Sequence, residues 1–176
     1  MIDPVMKKTA IGILAGVMLG AAGLAQAETQ FFIQAGHSAR PSDGQALGLV
    51  DAGVAVALPW RWQDGRLASK LEFSAGYSDT RNGGSYQGLA MPLLRYQGAA
   101  TGLFFEAGIG VLYVSNTHWR SNHDLGSHWL FGQRLGIGYD FGNYDLSLNL
   151  GHMSNGDLNK ANDGAESVGV RFAHSF

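Results

Sequence analysis

Stretches of about ten residues in which apolar side chains alternate with polar or small ones, an export-type N-terminus, and connections that alternate between short and long together predict an all-β fold. The form expected is an eight-stranded antiparallel up-and-down transmembrane β-barrel with a filled polar interior. Lys7 and Lys8 precede an apolar run from Ala10 to Leu24, and Ala25-Gln26-Ala27 has the small-x-small form of a signal-peptidase site. The run is shorter than the roughly 20 residues a spanning helix needs. Residues 1–27 therefore read as a signal peptide and 28–176 as one outer-membrane barrel domain. The chain has no Cys, which removes disulfides, thiolate zinc sites and cysteine nucleophiles, and a net charge of -2, which argues against nucleic acid as a partner.

The strands follow in order. Segments 29–38 and 46–58 alternate least cleanly and complete the count at eight. Leu71, Phe73, Ala75 and Tyr77 are set against Lys70, Glu72, Ser74 and Gly76, and Leu89, Met91 and Leu93 against Arg95. Leu103, Phe105, Ala107, Ile109, Val111 and Tyr113 alternate with Glu106, Gly108 and Gly110. Trp129, Phe131, Leu135, Ile137, Tyr139 and Phe141 alternate with Gly132, Arg134, Gly136, Gly138 and Asp140. Tyr144, Leu146, Leu148 and Leu150 oppose Asp145, Ser147, Asn149 and Gly151. The last strand carries Val168, Val170, Phe172, His174 and Phe176 on one face, with Ser167, Gly169, Arg171, Ala173 and Ser175 on the other. Its terminal Phe resembles the C-terminal signature of outer-membrane barrels, which assigns the even-numbered face to lipid.

Connections Pro59 to Gly65, Gln97 to Thr101 and Gly142 to Asn143 are short. Asp79 to Ser85, Asn116 to Gly126 and Asn155 to Ala165 are mostly longer and rich in Gly, Asn, Asp and Ser. Outer-membrane barrels put tight turns in the periplasm and longer loops outside. Lys70, Glu72, Arg95, Glu106, Arg134 and Arg171 then face a lumen just wide enough for side chains to fill, so they pair with one another and form no pore.

Parity also isolates one polar group. His152 and Ser154 continue the lipid-facing series of Leu146, Leu148 and Leu150, and Glu166 begins that of Val168 and Val170. Antiparallel pairing across the intervening loop sets Glu166 beside His152 and Ser154 at one membrane boundary. Singly, each reads as a solvated residue near the headgroups. Together they supply a hydroxyl nucleophile, an imidazole base and a carboxylate to orient it, the set acyl transfer by serine requires. The oxyanion region falls to the following loop, with Asn155, Gly156, Asp157 and Asn162 as candidates and the donor among them left open.

The stretch from His152 to Ser167, with His-x-Ser-Asn followed by Asn162-Asp163-Gly164-Ala165-Glu166, resembles the C-terminal motif of the lipid A 3-O-deacylases of the PagL family. Phe105-Glu106-Ala107-Gly108-Ile109-Gly110-Val111 resembles a second block of that family. The resemblance implies a Ser154, His152, Glu166 triad, an oxyanion region organised by Asn155 and Asn162, and removal of the 3-linked hydroxyacyl chain from lipid A of lipopolysaccharide. It implies no metal and no cofactor. One departure stands out: Asp157 occupies the position where the family has glycine. Trp129 and Phe131, and more loosely Trp119, are candidates for an acyl groove, although an interfacial aromatic belt explains them better. Partners are then the lipopolysaccharide substrate and outer-membrane lipid, with a homodimer left open. The alternative functions are a non-enzymatic envelope barrel, a phospholipase A, or a lipid A palmitoyltransferase.

Overall fold

The computed structural model describes residues 28–39 and 48–176, so the expected signal peptide lies outside the described residues. Every regular element among the described residues is a β-strand. In chain order these are β1 (Thr29–Ser38), β2 (Gly48–Trp62), β3 (Leu67–Thr80), β4 (Gly83–Gln97) and β5 (Gly102–Val114). A short hairpin of β6 (His118–Arg120) and β7 (His123–Asp124) follows, then β8 (Trp129–Asp140), β9 (Tyr144–Ser154) and β10 (Ala165–Ser175). The eight long strands close in the order β1-β2-β3-β4-β5-β8-β9-β10, each antiparallel to its neighbours, with β10 returning to β1. Closure leaves the barrel sheet without an edge, which backbone amides in hydrocarbon require.

The barrel is inside out relative to a water-soluble protein. Leu135, Leu146, Leu148, Leu150, Val170 and Phe172 stand exposed on its exterior, whereas Glu72, Arg95, Glu106, Arg134, Asp145 and Arg171 are buried within it. Such an exterior suits hydrocarbon. Inside, Arg134 grips Glu72 with both terminal nitrogens at 2.6 and 2.7 Å, and Arg171 reaches the same carboxylate at 2.5 Å. Arg95 bridges Glu106 at 2.7 Å and Asp145 at 2.5 Å, and Lys70 donates to Gln30 at 2.5 Å. The guanidinium groups of Arg95 and Arg171 also lie 3.7 and 3.5 Å over the inward rings of Phe104 and Phe32. Each of these charges thus has a partner, the condition on which a low-dielectric interior tolerates it.

Three local expectations are corrected. Pro59 does not open the β2–β3 connection, because β2 runs on to Trp62 and the turn is confined to residues 63–66. β1 pairs with β2 only as far as Val56, and β2 breaks register against β3 between Ala57 and Arg61, so a residue without an N–H loses little there. Residues 79–85 hold a tight turn, not a loop, since β3 pairs with β4 out to Thr80 and Gly83, the latter at φ 96°. Leu89, Met91 and Leu93 share the parity of Arg95, and Met91 and Leu93 are buried inside the barrel. They fill space left by lumen glycines: a Cβ on Gly108 would lie 2.8 Å from Met91 Sδ, and one on Gly132 3.1 Å from Leu89 Cδ1. Pro92, Leu94 and Tyr96 take the lipid face of β4 instead.

The loop end of the barrel is closed by an apolar plug. Trp119 and Leu125, from the β6–β7 hairpin region, pack with Leu112, Val114, Leu130 and Ala165. Trp119 is only 1% exposed and donates its indole N–H to Asn116 O at 2.9 Å, so it is a plug residue and does not line an exterior groove.

Candidate active site

Strand register arranges the lipid-facing side chains in rows across β8, β9 and β10. Gln133 pairs with His152 and His152 with Glu166; one step toward the loop end, Phe131 pairs with Ser154; one step the other way, Leu135 pairs with Leu150 and Leu150 with Val168. His152 and Glu166 are therefore direct cross-strand neighbours. Their side chains are about one third exposed, 38% and 31%, and His152 Nδ1 lies 3.6 Å from Glu166 Oε1. That is long for a hydrogen bond but within ion-pair distance for an imidazolium and a carboxylate. Ser154 shares the strand and face of His152 two residues on, at a Cα separation of about 7 Å.

The loop from Asn155 to Gly164 folds back over this row through its own hydrogen bonds. Asn155 is buried and turns inward, its amide Nδ2 donating to Leu125 O at 2.9 Å and Ala161 O at 2.6 Å. Its backbone N–H donates to Asn162 Oδ1 at 2.9 Å, and Asn162 Nδ2 donates in turn to Asp157 Oδ1 at 2.9 Å. Asn162 thus ties both limbs of the loop. A further pair of contacts joins it to the hairpin: Asp124 N donates to Asp163 Oδ2 at 2.6 Å, and Asp163 N to Asp124 O at 3.2 Å.

Two consecutive residues, Gly156 at φ 65° and Asp157 at φ 63°, turn the chain through the left-handed region. A Cβ on Gly156 would come within 3.0 Å of the ring of Phe131, the cross-strand partner of Ser154. Asp adopts this conformation at modest cost, so glycine's freedom is not essential at position 157. Gly164, at φ 59°, matters in a different way: a Cβ there would stand 3.3 Å from His152 Cε1. The chain turns into β10 hard against the imidazole.

Of the residues expected from sequence, His152, Ser154 and Glu166 are gathered on one face, and Asn155, Gly156, Asp157 and Asn162 form the adjoining loop. Gln133 is not among those residues, and Gly164 enters the sequence reading only as part of the Asn162–Glu166 motif. The signal for Gln133 was present: it interrupts the lipid-facing series of Phe131, Leu135 and Ile137 at a position of the same parity. Along the lipid face, His152 and Glu166 border a hollow of about 960 Å³ that continues over Leu150, Leu135, Ile109 and Leu94.

The sequence model of the family described as Lipid A 3-O-deacylase (PagL) matches residues 49–175. The chain belongs to that family. The lipid A 3-O-deacylase family comprises outer-membrane β-barrel hydrolases, which accounts for the inverted polarity of the barrel. Among solved structures, the chain is similar to the outer membrane enzyme PagL, with a TM-score of 0.72 at 23% identity over 82% of this chain and 98% of that one. It is also similar to the N-terminal β-barrel domain of Pseudomonas aeruginosa OprF, with a TM-score of 0.59 at 12% identity over 86% of this chain and 98% of that one. Both likenesses are of fold. The chain has no match among curated proteins.

Proposed function

We propose that this lipid A 3-O-deacylase family member removes the 3-O-linked hydroxyacyl chain of lipid A with Ser154 as nucleophile, His152 as base and Glu166 as its partner. The observation that carries this reading is the pairing of His152 with Glu166 at 3.6 Å on a lipid-facing surface, with Ser154 one row away. Ionisable side chains facing hydrocarbon are costly, so their concentration there argues for use. The ester reaches the row sideways from the outer leaflet, and no channel through the barrel is needed.

His152 takes the Ser154 proton as Oγ attacks the ester carbonyl, and Glu166 holds the imidazole in the tautomer that accepts it while stabilising the cation formed. The tetrahedral intermediate collapses with transfer of that proton to the departing sugar oxygen, leaving an acyl-serine. Water, deprotonated by His152, then releases the fatty acid. The oxyanion region is formed by the Asn155–Asn162 loop. Both amide hydrogens of Asn155 are engaged with Leu125 O and Ala161 O, so Gly156, Asp157 and the second amide hydrogen of Asn162 are the better donors.

A serine-directed phosphonate tests the nucleophile. Intact-mass and peptide mapping of the treated protein should find one adduct, on Ser154, which forms far more slowly in His152→Gln. An adduct on another serine, or labelling indifferent to His152, would sink the assignment.

A further inference from the structure

Gln133 stands on the lipid face in the same row as the proposed base. Ile109 pairs with Gln133, Gln133 with His152, and His152 with Glu166, so Gln133 flanks the imidazole on the side opposite the carboxylate. It is exposed, and among the described residues its carboxamide has no hydrogen-bond partner. An amide facing hydrocarbon without a partner is unfavourable, and Leu135 and Leu150 in the next row show what ordinarily fills such a place. The position asks for a polar partner delivered from the lipid side.

The geometry of the rows says which part of a substrate meets it. An ester held at Ser154 lies one row nearer the loop end, and its acyl chain must run toward the bilayer centre, past the row of Gln133. The next row reads Leu94, Ala107, Leu135, Leu150 and Val168, so Ala107 makes a dip between two leucines. Leu94, Ala107, Leu135 and Leu150 also line a second hollow of about 780 Å³ that carries on over Phe105, Ile137 and Leu148. An apolar path therefore leaves the Ser154 row on the Gln133 side. In a 3-hydroxyacyl chain the hydroxyl carbon is two bonds from the carbonyl carbon, roughly 2.5 Å away. Rows are about 7 Å apart along a strand, so that hydroxyl falls between Ser154 and Gln133, within reach of a side chain as long as glutamine's.

We infer that Gln133 is the selectivity residue that reads the 3-hydroxyl of the acyl chain, a role that rests on the deacylase reading above. Its carbonyl accepts the hydroxyl proton, and its amide donates to the hydroxyl oxygen or to the neighbouring amide-linked chain. A chain without the hydroxyl leaves the carboxamide unpaired in the complex, a penalty that discriminates more strongly than a missing apolar contact.

The test uses the purified full-length barrel in detergent and two synthetic acyl esters of an N-acylglucosamine, identical except for the 3-hydroxyl. Wild type should favour the hydroxylated ester by roughly tenfold or more in kcat/KM. Gln133→Leu, a side chain this face already carries, and Gln133→Met, of similar shape, should bring that ratio close to one. Retention of the ratio in both variants overturns the proposal, as does a parallel fall on the two esters, which would make Gln133 a general part of the machinery. Cleavage of both esters equally by wild type defeats the selectivity role alone, whereas cleavage of neither defeats the deacylase reading with it.

Discussion

Glu166 sits where an unpaired carboxylate is expensive, and His152 Nδ1 lies 3.6 Å from it. If its work is to orient and stabilise the imidazole, removing the charge while keeping the shape should cost turnover and leave the fold alone. Glu166→Gln is expected to lower kcat on the order of 10³-fold, with KM little changed, as read by fatty-acid release from purified lipid A. A loss confined to KM would assign Glu166 to substrate binding instead. Asp157 shows the opposite kind of position. Its carboxylate is held by Asn162, and its left-handed backbone is one that aspartate tolerates, so the turn there needs no glycine.

Among the elements, the 155–164 loop depends on side chains more than on backbone pairing. Asn155 joins it to Leu125 O on one side and Ala161 O on the other, bonds that tie the loop to the plug below. Asn155→Ala should cost about 1–3 kcal/mol, read as a lowered unfolding temperature in detergent, and should reduce activity because the oxyanion region loses its anchor; unchanged stability would show the loop to be held by other contacts. This inward role was not legible in the sequence, where Asn155, beside Ser154, is one of four candidates for the oxyanion region. Strand parity, by contrast, was legible wherever each face kept one character, as in β5, β8, β9 and β10. It misled in β4, where lumen glycines on facing strands made room for Met91 and the face signal was lost. It also went unused at Gln133, whose polarity interrupts an apolar series that reads well enough without it. The tight β3–β4 turn was hidden because Gly83 permits a reversal that composition alone presents as a longer loop.

For the whole molecule, the division of labour between interior and exterior is the organising fact. Glu72 binds Arg134 and Arg171, and Arg95 binds Glu106 and Asp145, so paired charges cross the lumen and join facing walls. With that interior filled, chemistry is left to the outer surface, where the row of Gln133, His152 and Glu166 lies beside apolar hollows that a lipid chain can occupy. The barrel architecture does not by itself call for chemistry. Family membership and the polar row together point to lipid A as what is cut. Mass spectrometry of lipid A from a Gram-negative host expressing either the wild-type chain or Ser154→Ala bears on this most directly. Loss of one 3-O-linked hydroxyacyl chain is expected only with the intact serine; lipid A unchanged by the wild type, or shortened equally by Ser154→Ala, would rule out Ser154 as the nucleophile of a lipid A deacylase.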